Sequence, residues 1–434
     1  MRDFMRSADR PGSHRWATRR ASRGMASLVL LATATACDQV DRLLTVQSPS
    51  ILSEEQYLQP ANAALIAASA VSDYECALGG YVVAAGLASG ELLDGTQTAA
   101  RWSYDRRDVL PTDALYATSG CEGIGVYTPM STARYTNDLV VRQLESWTDA
   151  QVPNRQRLIA QASAFAGFSL IHLAEGFCSC AIDVGPELTT DQAFDQAIAR
   201  FDKAIALATQ INDQVLLNLA LVGRARARLG RGNRAGAAED AARVPVGFVF
   251  NTTTDNNAPR RQNRIFAQNN AGFAVNVAPT YRALTTGGRP DPRVLVTDGG
   301  RNTTDQAGRL WLQNKYTSLT AVNPVATGIE AQLIVAEVRG SGEGVAILNA
   351  LRARAGVALP ALSAAEIAAF QATVIEERRR ELFLQGQQWF DQKRLSLPQT
   401  PAAGTPYPKG GSYGNQRCWP LPDAERLANP NFGR

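Results

Sequence analysis

The chain reads as a mostly α-helical protein, and three observations carry that reading. Apolar residues recur at helical spacing over 127–147, through Leu139, Val140, Leu144 and Trp147. From about 155 to 245 a pattern of small and apolar residues repeats. Residues 376–394, EERRRELFLQGQQWFDQKR, set charges inside an apolar frame, with Glu377 and Glu381 four apart on one helical stripe. Unpaired buried charge is costly. The third stretch therefore predicts paired charges clamped against Leu382, Phe383, Trp389 and Phe390.

The first 36 residues read as a targeting segment. Arg15, Arg19, Arg20 and Arg23 precede the apolar run MASLVLLATATA at 25–36. That run is too short to span a bilayer, which needs about 20 residues. Ala34, Thr35 and Ala36 then lead into Cys37. A basic run, a short apolar run and small residues before a cysteine make the arrangement of a bacterial lipoprotein leader. Cys37 would be the lipid-modified first residue of the mature chain. The alternative is an ordinary secretory leader with a chance cysteine. The domain boundary expected here is 1–36 leader and 37–434 folded chain.

Composition narrows the function. The formal charge is +4, but residues 1–36 hold seven Arg and two Asp, so the remainder carries 37 basic and 38 acidic side chains. No basic patch for nucleic acid is implied. No later segment is expected to cross a membrane. Cys76, Cys121, Cys178, Cys180 and Cys418 follow Cys37, and an exported chain meets oxidising conditions. Cys76 with Cys121 is the first pairing expected. Cys178 and Cys180 form a short bridge, or Cys180 pairs elsewhere and one thiol is left over. One histidine, His172, lies beyond the leader, inside the apolar stretch at 168–174. Histidine-based catalysis would have to use it, and a core role is the expectation. No metal site or cofactor is implied: two paired C-x-x-C motifs are missing, and no acidic spacing fits a calcium loop.

Ser53 with Gln56 makes a capping box opening a helix to about 70. Residues 71–97 read as helix ends and surface loops, and 101–121 as turn-rich. Within 155–245, Ala197, Phe201 and Ala204 share a four-then-three spacing with Ala235, Glu239 and Ala242. With Gly167, Gly223, Gly230 and Pro245, this resembles the tetratricopeptide repeat, where small residues let paired helices approach. Residues 178–188 interrupt it. From 248 to 305, Asn, Thr, Gly and Pro predict loops and minor strands. Helices resume near 329.

The 376–394 stretch resembles the hallmark of the SusD/RagB family of outer-membrane nutrient-binding lipoproteins, roughly E-R-x-x-E-L, then G, then R-W-x-D-L-x-R. Glu377, Arg378, Glu381, Leu382, Gly386, Trp389, Asp391 and Arg394 fit it, whereas Gln388, Gln392 and Lys393 depart from it. Other matches occur in order: Asp291-Pro292-Arg293; Trp311, Lys315 and Tyr316; Glu330, Ala336 and Glu337; AILNALRAR at 346–354; and a closing Trp419-Pro420-Leu421-Pro422, Glu425 and Asn429-Pro430-Asn431.

The resemblance implies a SusD-like fold, a right-handed superhelix of tetratricopeptide-like helix pairs with minor β. The helical scaffold would span 155–245 and 325–395, with a loop-rich insert at 246–324. It implies a non-catalytic protein, lipid-anchored in the outer membrane and facing the cell surface, since in that family an acidic residue near the lipidated Cys, as Asp38 and Asp41 are here, accompanies surface display. Its partners would be a glycan or other oligomeric nutrient and a SusC-like TonB-dependent transporter. Such proteins stack aromatic rings on sugars from loops outside the scaffold. Trp102 and Tyr104, interleaved with Arg101, Asp105 and Arg106, are the leading ligand-binding candidates, followed by Tyr74, Tyr127 and Trp311. Glu377, Arg378, Glu381, Gly386, Trp389, Asp391 and Arg394 are expected to be structural. Two carboxylates facing one way from one helix are not a glycosidase pair, which must flank a bond. The rival readings are an exported tetratricopeptide scaffold and an all-helical glycan hydrolase.

Overall fold

A computed structural model describes residues 57–432. The leader, Cys37 and the capping box at Ser53 lie outside the described residues. The interior is built around helix α1 (Ala63–Ser89), 27 residues long. It occupies most of the stretch expected to be helix ends and surface loops. Its side chains are buried on almost every side from Tyr74 onward. A helix surrounded by protein shows no polar stripe, so periodicity gives no signal. Its small residues serve packing: a Cβ on Gly80 would sit 2.8 Å from the Gly125 carbonyl oxygen. The helix stops at Gly90, whose φ of +75° gives the left-handed cap.

Strand β1 (Leu92–Asp94) follows, then α2 (Ala99–Arg106) and α3 (Ala114–Thr118), so the turn-rich segment contains two short helices. Helix α4 (Tyr127–Ser146) forms as its spacing predicts, although Trp147 just beyond it is only half-buried. The helix pairs are α5 (Arg155–Gly176) with α6 (Thr190–Gln210), and α7 (Gln214–Gly230) with α8 (Arg234–Ala242). The Phe201 ring fills the space left by Gly167 and Gly223, where added Cβ atoms would come within 2.8 and 2.3 Å of it. Phe194 does the same against Gly230.

The second repeat is registered differently from the sequence reading. Ala235, Glu239 and Ala242 are exposed, and the buried four-then-three set is Ala237, Ala241 and Val244. An alanine-rich helix offers several equivalent spacings, and packing selects one. Helix α5 is long and apolar enough to cross a bilayer, against expectation, but 89% of its apolar window is buried inside the protein. It is a core helix. The interruption at 178–188 is a two-stranded ribbon of β2 (Ser179–Cys180) and β3 (Leu188–Thr189). Cys178 is bonded to Cys418 and Cys76 to Cys121, leaving Cys180 as a buried free thiol. The short Cys178 to Cys180 bridge therefore does not form.

The insert opens with β4 (Val249–Asn251) and continues through β5 (Val275–Val277), β6 (Thr285–Thr286), β7 (Arg289–Pro290), β8 (Val296–Asn302) and β9 (Arg309–Gln313). It closes when β10 (Pro324–Thr327) pairs back on β4. Strand β5 pairs with β1, bringing Asn276 opposite Leu93. Helices α9 (Gly328–Arg339), α10 (Ser341–Ala353), α11 (Phe370–Glu381) and α12 (Gln387–Arg394) complete the scaffold. The charged hallmark is thus two helices joined by a tight turn at Gly386, φ +79°, where a Cβ would lie 3.1 Å from the Tyr81 ring. Trp389 stacks on Trp419 at 5.9 Å, with Tyr81, Tyr104 and Phe177 edge-on to Trp419.

Candidate functional site

The hallmark charges are buried and satisfy one another. Arg293 contacts Asp291 at 2.7 Å, Glu377 at 2.5 Å and Glu381 at 3.2 Å. Arg352 also holds Glu377, and Arg354 holds Glu381. A neighbouring set joins Arg378 to Asp391, and Arg394 to both Asp391 and Glu337. Burial alone would raise the Asp291 carboxyl, but Arg293 and Arg380 hold it well below the usual range. Arg394 and Arg378 do the same for Glu337 and Asp391 against the same burial. These acids have no free face for a substrate. His172 is likewise interior: Tyr74 Oη and His172 Nε2 share a hydrogen bond at 3.1 Å, and burial lowers the imidazole's proton affinity.

The six ligand candidates separate into two groups. Tyr74, Tyr104 and Tyr127 are core residues, at 0%, 1% and 3% exposure. Tyr104 donates to the Ile124 carbonyl at 2.8 Å, and Tyr127 packs edge-on to Phe177. None offers a ring face to a ligand, which corrects the expectation for all three. Tyr104 is also not in a turn: α2 carries Arg101, Trp102 and Tyr104, and its helical turn sends Tyr104 inward. Arg101, Trp102 and Trp311 are half-buried, and each packs behind a residue that lines one cleft: Asp94, Lys409 and Arg282 respectively.

That cleft has a volume of about 210 Å³ and lies where β1, β5, the tip of the β8–β9 hairpin and the segment 407–413 meet. Lys409 is its keystone. The ammonium Nζ donates to the Asp94 carbonyl at 2.6 Å, Asp94 Oδ1 at 3.1 Å and the Thr96 carbonyl at 2.8 Å. It also pairs with Asp305 at 2.9 Å. The Trp102 indole lies beside it, ring centroid 5.5 Å from Nζ, and its N–H donates to the Thr96 carbonyl at 3.0 Å. Arg101 pairs with the other oxygen of Asp94 and bonds Gln268.

Asp105 accepts from the Asp94 N–H at 2.9 Å and from the Tyr407 hydroxyl at 3.2 Å. Its burial, with Asp94 nearby adding to the effect, pushes its carboxyl up to about 7. On the opposite wall, Arg282 donates through Nε and Nη2 to the Val277 carbonyl and lies 5.0 Å over the Trp311 ring. The cleft thus presents hydrogen-bonding groups of both signs beside a flat ring.

Of the residues expected from sequence, Trp102, Arg101 and Trp311 lie next to the cleft. Sequence reasoning missed Lys409, Asp305 and Arg282, which are far apart in the chain and share no motif. Asp94 receives the ammonium of Lys409.

Residues 330–431 match the model of the SusD family. A search of curated proteins finds no match. Solved structures match over most of the chain. A SusD-like carbohydrate-binding protein from Bacteroides vulgatus is 16% identical, with TM-score 0.65, covering 86% of this chain and 97% of its own. One from Bacteroides fragilis is 14% identical, with TM-score 0.65, covering 86% and 98%. A SusD superfamily protein from Bacteroides thetaiotaomicron is 15% identical, with TM-score 0.62, covering 86% and 99%. The predicted fold class, mostly α and SusD-like, therefore holds.

Proposed function

We propose that this chain, SusD-like in its fold and matched to that family over residues 330–431, is a non-catalytic glycan-binding protein. It would capture oligosaccharide, or another oligomeric nutrient, at the cleft around Lys409, with Trp102 beside it. One observation carries the proposal: a small cleft walled by charged and polar groups includes the rings of Tyr407 and Tyr413, and the half-buried Trp102 indole lies against its Lys409. A pyranose has an apolar C–H face and a polar rim, so a flat ring beside donors and acceptors matches both. At about 210 Å³ the cleft is smaller than the roughly 300–1,000 Å³ of enclosing ligand pockets. It suits the grip of one sugar unit within a longer chain.

Binding without turnover is supported by the state of the acids. Glu377 and Glu381 are locked by arginines, and Lys409 holds Asp94 and Asp305. On this reading Cys37 carries the lipid anchor, the folded chain faces outward from the outer membrane, and captured glycan passes to a SusC-like TonB-dependent transporter. Isothermal titration across a glycan panel tests the site. Trp102→Ala should weaken binding about two- to twelvefold, from the ~0.5–1.5 kcal/mol of an aromatic contact. Failure to bind any glycan would overturn the proposal. Purification of the lipidated chain in mild detergent should co-recover a large TonB-dependent barrel.

A further inference from the structure

The cleft has a charge left over. Lys409 is matched by Asp94 and Asp305, and Arg309 by Asp298 at 2.7 Å. Arg101, on the rim, is matched by Asp94. Arg282 differs. Among the described residues no carboxylate pairs with it; its bonds go to one backbone carbonyl, that of Val277, through Nε and Nη2 at 2.9 and 2.6 Å. Among the described residues its Nη1 has no hydrogen-bond partner. The guanidinium lies over the Trp311 ring, 5.0 Å from its centroid, and the Trp311 backbone N–H donates to Asn276 Oδ1 at 2.7 Å. A partly desolvated cation without a counter-charge is unfavourable, and burial lowers its proton affinity. The group lines the cleft and has no counter-charge among the described residues.

We propose that the cleft takes a sugar bearing a single negative group, a uronic acid carboxylate or a sulfate ester, received by Nη1 of Arg282. This rests on the cleft being the glycan site. Charge-assisted bonds to arginine are shorter and stronger than neutral ones, and the negative group would supply the counter-charge that Arg282 lacks. Asp105 on the far side does not cancel this while protonated. It faces Asp94, Tyr407, Lys409 and Arg107, and burial holds its proton up to about pH 7.

The test is titration calorimetry at pH 6 with paired oligosaccharides. Galacturonate and glucuronate oligomers are set against their methyl esters, sulfated oligomers against desulfated ones, and maltotriose serves as a neutral control. At least one charged form should bind tenfold or more tightly than its neutral partner, with affinity falling as salt rises. Arg282→Gln should bring that charged form to the level of its neutral partner, and Arg282→Lys should restore part of the difference while thermal melts show both variants folded. The carboxylate and sulfate arms separate the two sources of charge. Equal binding of charged and neutral partners, weakened by Trp102→Ala and untouched by Arg282→Gln, would overturn this inference and leave the glycan site standing. No binding by any member would overturn both.

Discussion

Replacing Arg293 by methionine tests whether the buried charges hold the scaffold together. Arg293 belongs to the insert, whereas Glu377 and Glu381 belong to α11, so its bonds join the two regions. All of these side chains are 3% exposed or less. Removing one partner of a buried pair costs about 3–5 kcal/mol, because the remaining charge stays desolvated. Each stranded carboxylate keeps a second arginine: Asp291 has Arg380, Glu377 has Arg352 and Glu381 has Arg354. The lower end, about 3 kcal/mol, is therefore expected. Unfolding entropy of about 2.1 cal/mol/K per residue gives roughly 0.8 kcal/mol/K for a unit of this size, so Tm should fall by about 4 °C. Arg339→Met, which breaks the exposed pair with Glu343, is the control and should cost about 0.3–0.5 kcal/mol, under 1 °C. Scanning calorimetry reads both. If Arg293→Met melts within 1 °C of the control, the pairs are replaceable ornaments of the core and the reasoning fails.

Other expectations follow from burial and spacing. Asp105 and Glu91 are both raised to about 7, burial being the main cause. The folded chain therefore holds their protons more tightly than the unfolded chain, and their contribution to stability declines as pH rises from about 4 to about 7. Asp105→Asn and Glu91→Gln should each gain on the wild type across that interval, by up to about 3–4 kcal/mol, and no further above it. An advantage that shrinks with rising pH in melts at pH 5 and 8 would contradict this. Removing both thiols of the Cys76–Cys121 bridge, which spans 45 residues, should cost about 4 kcal/mol by loop entropy, and the 240-residue Cys178–Cys418 bridge should cost more. Gly223→Ala drives a methyl into the Phe201 ring, which cannot retreat because Gly167 packs on it too. It should cost about 1–3 kcal/mol, with Phe201→Leu recovering part of the loss in urea melts.

What could be read from the sequence depended on whether a residue's environment is set locally. The helix pairs, the insert and the paired hallmark charges are local patterns, and each is visible in a short window. Helix α1 is not, because a helix wrapped by protein loses the polar stripe that identifies one. The α8 register slipped for a related reason: alanines at 235, 237, 238, 241 and 242 fit several frames, and only contact with neighbouring helices distinguishes them. Among the aromatics, Trp102 and Tyr104 look equivalent in sequence. Two residues apart on α2, they face roughly opposite ways, one towards Lys409 and one into the Trp419 cluster.

The same logic explains why the hallmark identifies a fold and leaves the ligand unspecified. Its residues do not touch the cleft, yet they govern the segments that form it. The Leu384 N–H, in the turn between α11 and α12, donates to Glu91 Oε1 at 2.9 Å, just ahead of β1. Lys315 Nζ donates to the Phe383 carbonyl at 2.6 Å, tying the chain beyond β9 to the same turn. Arg380 and Arg293 hold Asp291 between β7 and β8. Strand β1 carries Asp94, β5 carries Asn276, and the β8–β9 tip carries Asp305; Lys409 then closes the set by pairing with Asp94 and Asp305. A rigid base shared by four segments permits their tips to vary without disturbing the core. The charges proposed here to meet a ligand, Arg282 among them, lie outside the hallmark, where no scaffold constraint writes them into a motif.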